Sequence, residues 1–321
     1  MIDETFKVRV TRKRDEAEGI CSLVLLPVEG CVLPPFTAGA HIDVHLDHGL
    51  VRQYSLCNPP SDAQQYVIAV LRDPASRGGS QAVHDQVKEG QVLEISAPKN
   101  HFPLVTDAKQ HLLLAGGIGV TPLLAMAEQL SVNGAEFALH YFARSANKAA
   151  FVDRFASSAF ASCVHTHWDD APQTPPLSLA SLIGRPLAGQ HLYVCGPKGF
   201  MDTVLATARA QSWPEGQLHF EFFGGQVVHD ASDAAFTVKL TRSGLEIQVG
   251  PEQTVVQALH KAGVDVPIAC EQGVCGTCLT RVLSGVPDHK DLYLTPEEQA
   301  ANDQFTPCCS RSKTSVLVLD L

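Results

Sequence analysis

Three thiols fall within nine residues in the segment CEQGVCGTC, Cys270 to Cys278, and two more, Cys308 and Cys309, follow near the C-terminus. Few features restrict a chain so severely, because clustered thiols must be brought together and the backbone must bend to let them meet. Cys270, Cys275 and Cys278 are spaced C-x4-C-x2-C, and Cys308 follows after 29 intervening residues. Three outcomes suit such a set: a zinc ion, a disulfide or an iron-sulfur cluster. Zinc ribbons more often use two separated C-x2-C pairs, and only one such pair is present. Gly273 and Gly276 let a loop wrap closely and point N–H donors inward, which the sulfurs of a 2Fe-2S unit require.

Five of the ten cysteines lie in the last 52 residues. In a reducing compartment such clustering reads as metal ligation rather than disulfide bridging. The other five, Cys21, Cys31, Cys57, Cys163 and Cys195, are scattered, and buried free thiols are the ordinary reading for them. The C-x4-C-x2-C spacing with a distant fourth cysteine resembles the plant-type ferredoxin pattern. The ending PCCSRSKTSVLVLDL is similar to that of ferredoxin-type domains whose first cysteine of the pair is the ligand. That resemblance implies Cys270, Cys275, Cys278 and Cys308 as cluster ligands and Cys309 as a packed thiol.

At 321 residues the chain is long enough for two or three domains. Apolar residues at 45% and charged residues at 18% match ordinary globular proteins, so the chain is expected to fold throughout. The net charge of -10 argues against nucleic-acid binding, which calls for Lys and Arg to neutralise phosphates. The acidity is spread along the chain and reads as a solvated surface. No apolar run approaches the roughly 20 residues that span a bilayer, and the N-terminus lacks an apolar signal segment. No membrane partner is expected, and the location indicated is cytoplasmic.

The texture of the chain changes twice. Up to about residue 103, short runs with period-two alternation (FKVRVTRK, CSLVLLP, AHIDVHL, YVIAVLRD, QVLEISAP) predict a small antiparallel β-barrel. Over residues 104–226, apolar strands alternate with helical runs (HLLLAGG into TPLLAMAEQL, EFALHYFA into AFVDRFA, HLYVCGP into KGFMDTVLATARAQ), which predicts an α/β domain with a parallel sheet. A linker is read over 227–235. Residues 236–321 then begin with a hairpin through a Ser-Gly turn and continue into the helix TVVQALHKAG. In TPEE, Thr295 suits an N-cap, Pro296 the first helical position and Glu298 the third, so a helix is predicted there. No internal repeat is present.

Two pairs of motifs carry further chemistry. RQYSLCN places Arg52, Tyr54, Ser55 and Leu56 in one strand, and SRGGS places Arg77, Gly78, Gly79 and Ser80 before a helical run. Arg offers a fixed cationic fork, Tyr a flat face and a hydroxyl, and Gly-Gly-Ser a set of N–H groups and a hydroxyl suited to phosphate. Alone, the first motif has an ordinary strand as its lesser alternative. AGGIGVTP sets Gly116, Gly117, Gly119, Thr121 and Pro122 between a strand and a helix, where glycines admit a pyrophosphate and Thr-Pro suits a first helical turn. YVCGP places Cys195, Gly196 and Pro197 at the end of another strand, the edge at which open α/β sheets take ligands. Core packing is the alternative for both turns, for Cys195 and for Phe223 in HFEFFGG.

Together these segments resemble the phthalate dioxygenase reductase group and the vanillate demethylase reductase type, over essentially the whole chain and with the ferredoxin domain last. The resemblance implies an FMN-binding barrel, an NAD-binding α/β domain and a β-grasp 2Fe-2S ferredoxin domain. It implies FMN rather than FAD, because in that group the R-G-G-S loop closes over a terminal phosphate. Cys195 would lie against the nicotinamide and Phe223 over the flavin, with Arg144 and Ser145 of YFARS touching the adenosine half. No basic cluster accompanies them, and Asp169 or Asp170 disfavours a 2'-phosphate, so NADH is preferred to NADPH. The implied activity is hydride transfer from NADH to FMN and single-electron transfer through the cluster to a Rieske non-haem iron oxygenase. Plant-type clusters lie near about -400 mV and Rieske centres at roughly -150 to +300 mV, so that transfer runs downhill. This chain has no C-x-H with a later C-x2-H, so the Rieske centre belongs to another polypeptide. Two rivals stay open: a different acceptor (ferredoxin, cytochrome or oxygen), and a zinc-binding module on an inactive reductase. His165 and His167 read as structural or surface residues.

Overall fold

The computed structural model describes residues 5–321 except 31, 75, 77, 172–176, 224–232 and 269, and the side chain of His48. Two compact units are present, one ending at Phe223 and the other beginning at Gly224. Arg77 and most of the expected linker, 227–232, lie outside the described residues.

The first unit opens with six strands, β1 (Thr5–Ala17), β2 (Ile20–Pro27), β3 (His41–His45), β4 (Val51–Ser55), β5 (Tyr66–Leu71) and β6 (Val92–Ser96), and one short helix, α1 (Gly79–Asp85). The sheet order is β4-β3-β6-β1-β2-β5, and every paired strand runs antiparallel. A bridge between Leu56 and Ile68 joins the two edges and closes the barrel. Alternation sends Val8, Val10, Leu23, Leu25, Ile42, Val44, Ile68 and Ile95 inward to a common core. The run VRQYS proves to be a strand, β4, paired residue for residue with β3, so that His41 lies opposite Ser55.

The α/β part follows with β7 (Gln110–Gly116), α2 (Val120–Val132), β8 (Glu136–Ala143), α3 (Val152–Ala156), β9 (Val164–Trp168), α4 (Leu179–Ile183), β10 (Gln190–Cys195), α5 (Lys198–Ala210) and β11 (Leu218–Glu221). All five strands are parallel, in the order β11-β10-β7-β8-β9. Chain order reverses between β7 and β10, so the crevice rule for open sheets places a ligand at the carboxyl ends of those two strands. One face of the sheet packs on α2 through Leu113, Leu139 and Tyr141. This same cluster takes in Ile20, Cys57, Ala69 and Phe102 from the barrel side. A shared apolar core therefore fixes barrel and sheet against each other. Asn147 adds a polar clamp, its side chain donating to Glu18 at 2.9 Å and its carbonyl accepting from the Glu18 amide at 2.8 Å.

The second unit contains β12 (Phe236–Leu240), β13 (Glu246–Val249), α6 (Val255–Lys261), β14 (Thr280–Ser284), β15 (Pro287–Asp288), α7 (Pro296–Ala301), β16 (Gln304–Phe305), β17 (Arg311–Ser312) and β18 (Val316–Leu319). Five strands form the sheet β13-β12-β18-β14-β16, in which β12 and β18 run parallel, and α6 contributes Val255, Ala258 and Leu259 to its core. Helix α7 starts as its sequence predicts. Thr295 accepts from the Glu298 amide at 3.3 Å, and the Glu298 carboxylate accepts from the Thr295 amide at 2.8 Å. Thr254 and Gln257 form the same reciprocal pair at the start of α6.

Candidate functional site

In the second unit the thiols of Cys270, Cys275, Cys278 and Cys308 are all buried. Cys270 is in hydrogen-bonding contact with Cys275 and with Cys308, and Cys308 also touches Cys278. The four sulfurs that the sequence pattern nominates are thus brought together. Cys309 touches Cys308, and its sulfur is in hydrogen-bonding reach of the Thr306 and Ser310 hydroxyls. The Cys270 thiol is pushed down by hydrogen bonds from Cys275 and Cys308 and by the Gln272 and Val274 amides, a setting that favours a thiolate.

The loop owes its tightness to two glycines in the left-handed region, Gly273 at φ 72° and Gly276 at φ 69°. A Cβ on Gly276 would overlap the Tyr293 ring, and one on Gly273 would overlap the Cys309 sulfur. Behind the loop, buried Asp291 accepts from the Leu294 amide at 2.8 Å and from the Ser310 hydroxyl at 3.3 Å, while Leu292 donates to the Gly273 carbonyl at 2.9 Å. An all-sulfur donor set held by a loop rich in inward amides fits an iron-sulfur cluster.

In the first unit the nominated residues converge from both sides of the seam. Arg52 lies across the SRGG loop, because a Cβ on Gly79 would come within 2.7 Å of its Nε. The Ser80 hydroxyl accepts from the Asp73 amide at 3.1 Å. Gly78 sits at φ 91° as the N-cap of α1. The Tyr54 hydroxyl is buried with no hydrogen-bond partner among the described residues. A buried hydroxyl is costly to leave unmatched, so this atom fits a polar group of a bound cofactor. Leu56 buries its side chain in the barrel core and has only its backbone to offer.

On the sheet side, the two glycine-containing turns touch. A Cβ on Gly196 would lie 2.9 Å from Gly116 Cα, and one on Gly119 would overlap the Cys195 carbonyl, so only glycine allows this approach. Pro197 and Phe200 press on Gly116 from α5. Gly117 adopts φ 52°, Pro122 is buried in the first turn of α2, and Thr121 donates to the Ile118 carbonyl at 3.0 Å. Arg144 is exposed just beyond β8, and the Asp170 amide donates to its carbonyl at 3.2 Å. Ser145 is half-buried and its hydroxyl bonds the Asn147 side chain. Phe222 and Phe223 lie just beyond β11; Phe222 packs toward the α5 side, and Phe223 is 39% exposed.

The sequence reading missed two residues between these groups. Glu221 is the register partner of Cys195 at the end of β11, and Ser55 donates to its carboxyl at 3.5 Å. Burial pushes its carboxyl up to about 8, so that it is largely protonated at neutral pH. His41 places Nδ1 3.8 Å from the same carboxyl, and burial pushes its imidazole down to about 4. An acid within the otherwise apolar run HFEFF was the available signal for Glu221. His41, in AHIDVHL, has the parity of Asp43 rather than that of the core residues Ile42 and Val44, and carries no such signal.

Residues 238–313 match the family model described as a 2Fe-2S iron-sulfur cluster binding domain, and residues 96–218 match that of the dimethylamine monooxygenase subunit DmmA-like N-terminal domain. The chain is 53% identical over 313 residues to vanillate O-demethylase oxidoreductase of Pseudomonas putida, covering 97% of this chain and 98% of that one. It is similar to the solved phthalate dioxygenase reductase, described as a modular structure for electron transfer from pyridine nucleotides to [2Fe-2S]. There the TM-score is 0.78 at 40% identity, covering 99% of this chain and 98% of that one. It also resembles part of an intact type IV self-sufficient cytochrome P450 monooxygenase, with a TM-score of 0.84 at 37% identity, covering 99% of this chain and 41% of that one. Among the described residues no helix is long and apolar enough to cross a membrane.

Proposed function

We propose, because the chain belongs to the family of vanillate O-demethylase oxidoreductase and phthalate dioxygenase reductase, that it is the cytoplasmic reductase component of a two-component Rieske-type oxygenase, using NADH, FMN and a 2Fe-2S cluster. In this reading residues 1–103 hold FMN, 104–226 hold NADH and 236–321 hold the cluster. When bound, these groups supply the redox chemistry, the flavin taking two electrons as a hydride and the cluster carrying one at a time.

The chain's own residues bind, orient and insulate. Arg52, Arg77 and the Gly78-Gly79-Ser80 turn bind the FMN phosphate, while the Tyr54 hydroxyl and Ser55 hold its polar edge. Gly116, Gly117, Gly119, Thr121 and Pro122 cradle the pyrophosphate, with Gly196 and Pro197 closing the facing wall. Arg144 and Ser145 meet the adenosine half, where Asp169 and Asp170 disfavour a 2'-phosphate. Cys195 sets the nicotinamide's approach, Phe223 covers the flavin, and Cys270, Cys275, Cys278 and Cys308 ligate the cluster.

The observation that carries this reading is the meeting of Ser55, Glu221, Cys195 and Gly119 along one seam, in a chain that also gathers four thiols. Purified protein should release FMN rather than FAD on denaturation, contain about two iron and two sulfide per chain, and reduce a Rieske oxygenase with NADH. Release of FAD, or zinc in place of iron, contradicts it. The likeness to part of a P450 monooxygenase favours a second reading in which the acceptor is a haem protein. Faster NADH-driven reduction of a P450 haem domain than of a Rieske centre decides for that acceptor.

A further inference from the structure

The Gly78-Gly79-Ser80 turn is carried by a helix too short to hold its own orientation. Helix α1 has 7 residues, and isolated helices of that length are marginal in water, so contacts from outside fix where it points. The last carbonyls of a helix have no partner within it. At this end the carbonyls of Val83, His84 and Val87 all accept from one ammonium, Lys13 Nζ, at 2.8, 2.7 and 2.8 Å. We propose that Lys13 is a positioning residue for the flavin phosphate, clamping the far end of α1 and so setting the Gly78-Gly79-Ser80 turn against Arg52. The inference rests on the flavin site proposed above and adds a residue at the opposite end of the helix from it.

Geometry carries the clamp. Lys13 is half-buried on β1, paired with Leu23 of β2 and 70 residues before Val83 in the chain. An ammonium has three donors and no acceptor, and these three carbonyls match all of them. A cation at a helix C-terminus also complements the partial negative charge there. The Lys13 amide donates to Glu89 Oε1 at 2.7 Å, so one residue of β1 ties down the chain on both sides of the turn that follows α1. Ala82, Val83 and Val87 bury an apolar face of this segment in the barrel core. Apolar burial is non-directional and fixes how deep the helix lies; the directed bonds to Lys13 fix its tilt. At the other end there is no slack: a Cβ on Gly79 would lie 2.5 Å from Arg52 Cγ, so a small tilt of α1 either collides with Arg52 or opens a gap beside it.

Direct attraction between Lys13 and a phosphate is the weaker account. Seven residues of helix separate the two by about 10 Å, close to one Debye length at 0.1 M salt, so little of the charge reaches across. Nor do the neighbouring contacts replace the clamp. The Arg72–Asp85 pair at 2.9 Å is exposed at both ends and worth little, and His84 Nε2 meets only the Val70 carbonyl, at 2.9 Å. In the run TRKRDE nothing distinguishes Lys13 from Arg12 or Arg14, both exposed; the fold alone singles it out.

The test compares FMN with riboflavin, which lacks the phosphate, on the full-length, cluster-loaded protein stripped of flavin, with binding read by quenching of flavin fluorescence. Lys13→Met should weaken FMN about tenfold, the size of one lost charged hydrogen bond, and leave riboflavin within about twofold. In the FMN-saturated variant the phosphorus NMR resonance of the bound phosphate should move toward that of free FMN. Unchanged FMN affinity overturns the inference, and so does an equal weakening of both flavins, which marks a general role in holding the barrel together. Lys13→Arg keeps the charge, but its planar fork does not bring three donors onto three carbonyls, so it should lose FMN selectively by about threefold. Full wild-type affinity in Lys13→Arg assigns the effect to charge and overturns the clamp. Should Lys13→Met fail to fold, the Lys13→Arg comparison decides alone. The flavin-site reading fails separately, if the wild-type protein binds FMN no more tightly than riboflavin.

Discussion

At the scale of single residues, the cluster loop depends on positions where a side chain has no room. Gly276→Ala forces a methyl against Tyr293 and holds alanine at φ 69°. Overpacking costs about 1–3 kcal/mol and a left-handed alanine about 1–2 more. The variant should therefore lose most of its iron on purification, read by metal analysis and visible absorbance. Cys309→Ser should retain the cluster, because Cys309 faces Thr306 and Ser310, whereas Cys308→Ser should not. Three of the thiols were legible in their C-x4-C-x2-C spacing, and Cys308 rather than Cys309 in the resemblance of the C-terminal run to ferredoxin-type domains. His41 was not, since a buried imidazole in a strand carries no sequence mark; the pairing of β3 with β4 sets it opposite Ser55.

At the scale of elements, boundaries set by local chemistry read well and those set by distant pairing read poorly. Helix α7 begins at the residue its Thr-Pro-x-Glu run prescribes, because a capping box satisfies itself within four residues. Thr295→Ala should destabilise the second unit by about 0.5–2 kcal/mol, measured by denaturant titration of the cluster-loaded protein. The strand VRQYS reads ambiguously on its own and becomes β4 through its partnership with β3. Likewise, the order β11-β10-β7-β8-β9 follows from tertiary packing, although alternating strands and helices announce a parallel sheet. The seam between barrel and sheet was invisible in sequence: Cys57 and Ala69, ordinary small residues, are where two cores join. Leu123→Ala in that shared core should cost about 2–5 kcal/mol and weaken FMN retention.

Over the whole molecule, stability should depend on pH from both sides. His41, His111, His140 and His219 are each pushed down to about 4, chiefly by burial, so their contribution is present above the unfolded value near 6.5 and lost as pH falls toward 4. Two imidazole pairs, His140 with His167 at 3.0 Å and His191 with His219 at 2.8 Å, place like charges side by side on protonation. Glu221 has the opposite sign: its raised carboxyl stabilises the fold most below about 4.5, and that contribution is lost as pH rises through 8. Between pH 6.5 and 8 the wild type should lose up to about 1.4 kcal/mol per pH unit, and Glu221→Gln should remove that slope. A three-part electron carrier remains the central claim, and an anaerobic NADH titration followed by visible absorbance and low-temperature electron paramagnetic resonance tests it most directly. Bleaching of the flavin together with a rhombic 2Fe-2S signal is the predicted result; bleaching with no iron signal would contradict it and leave the C-terminal unit a zinc-binding or structural module.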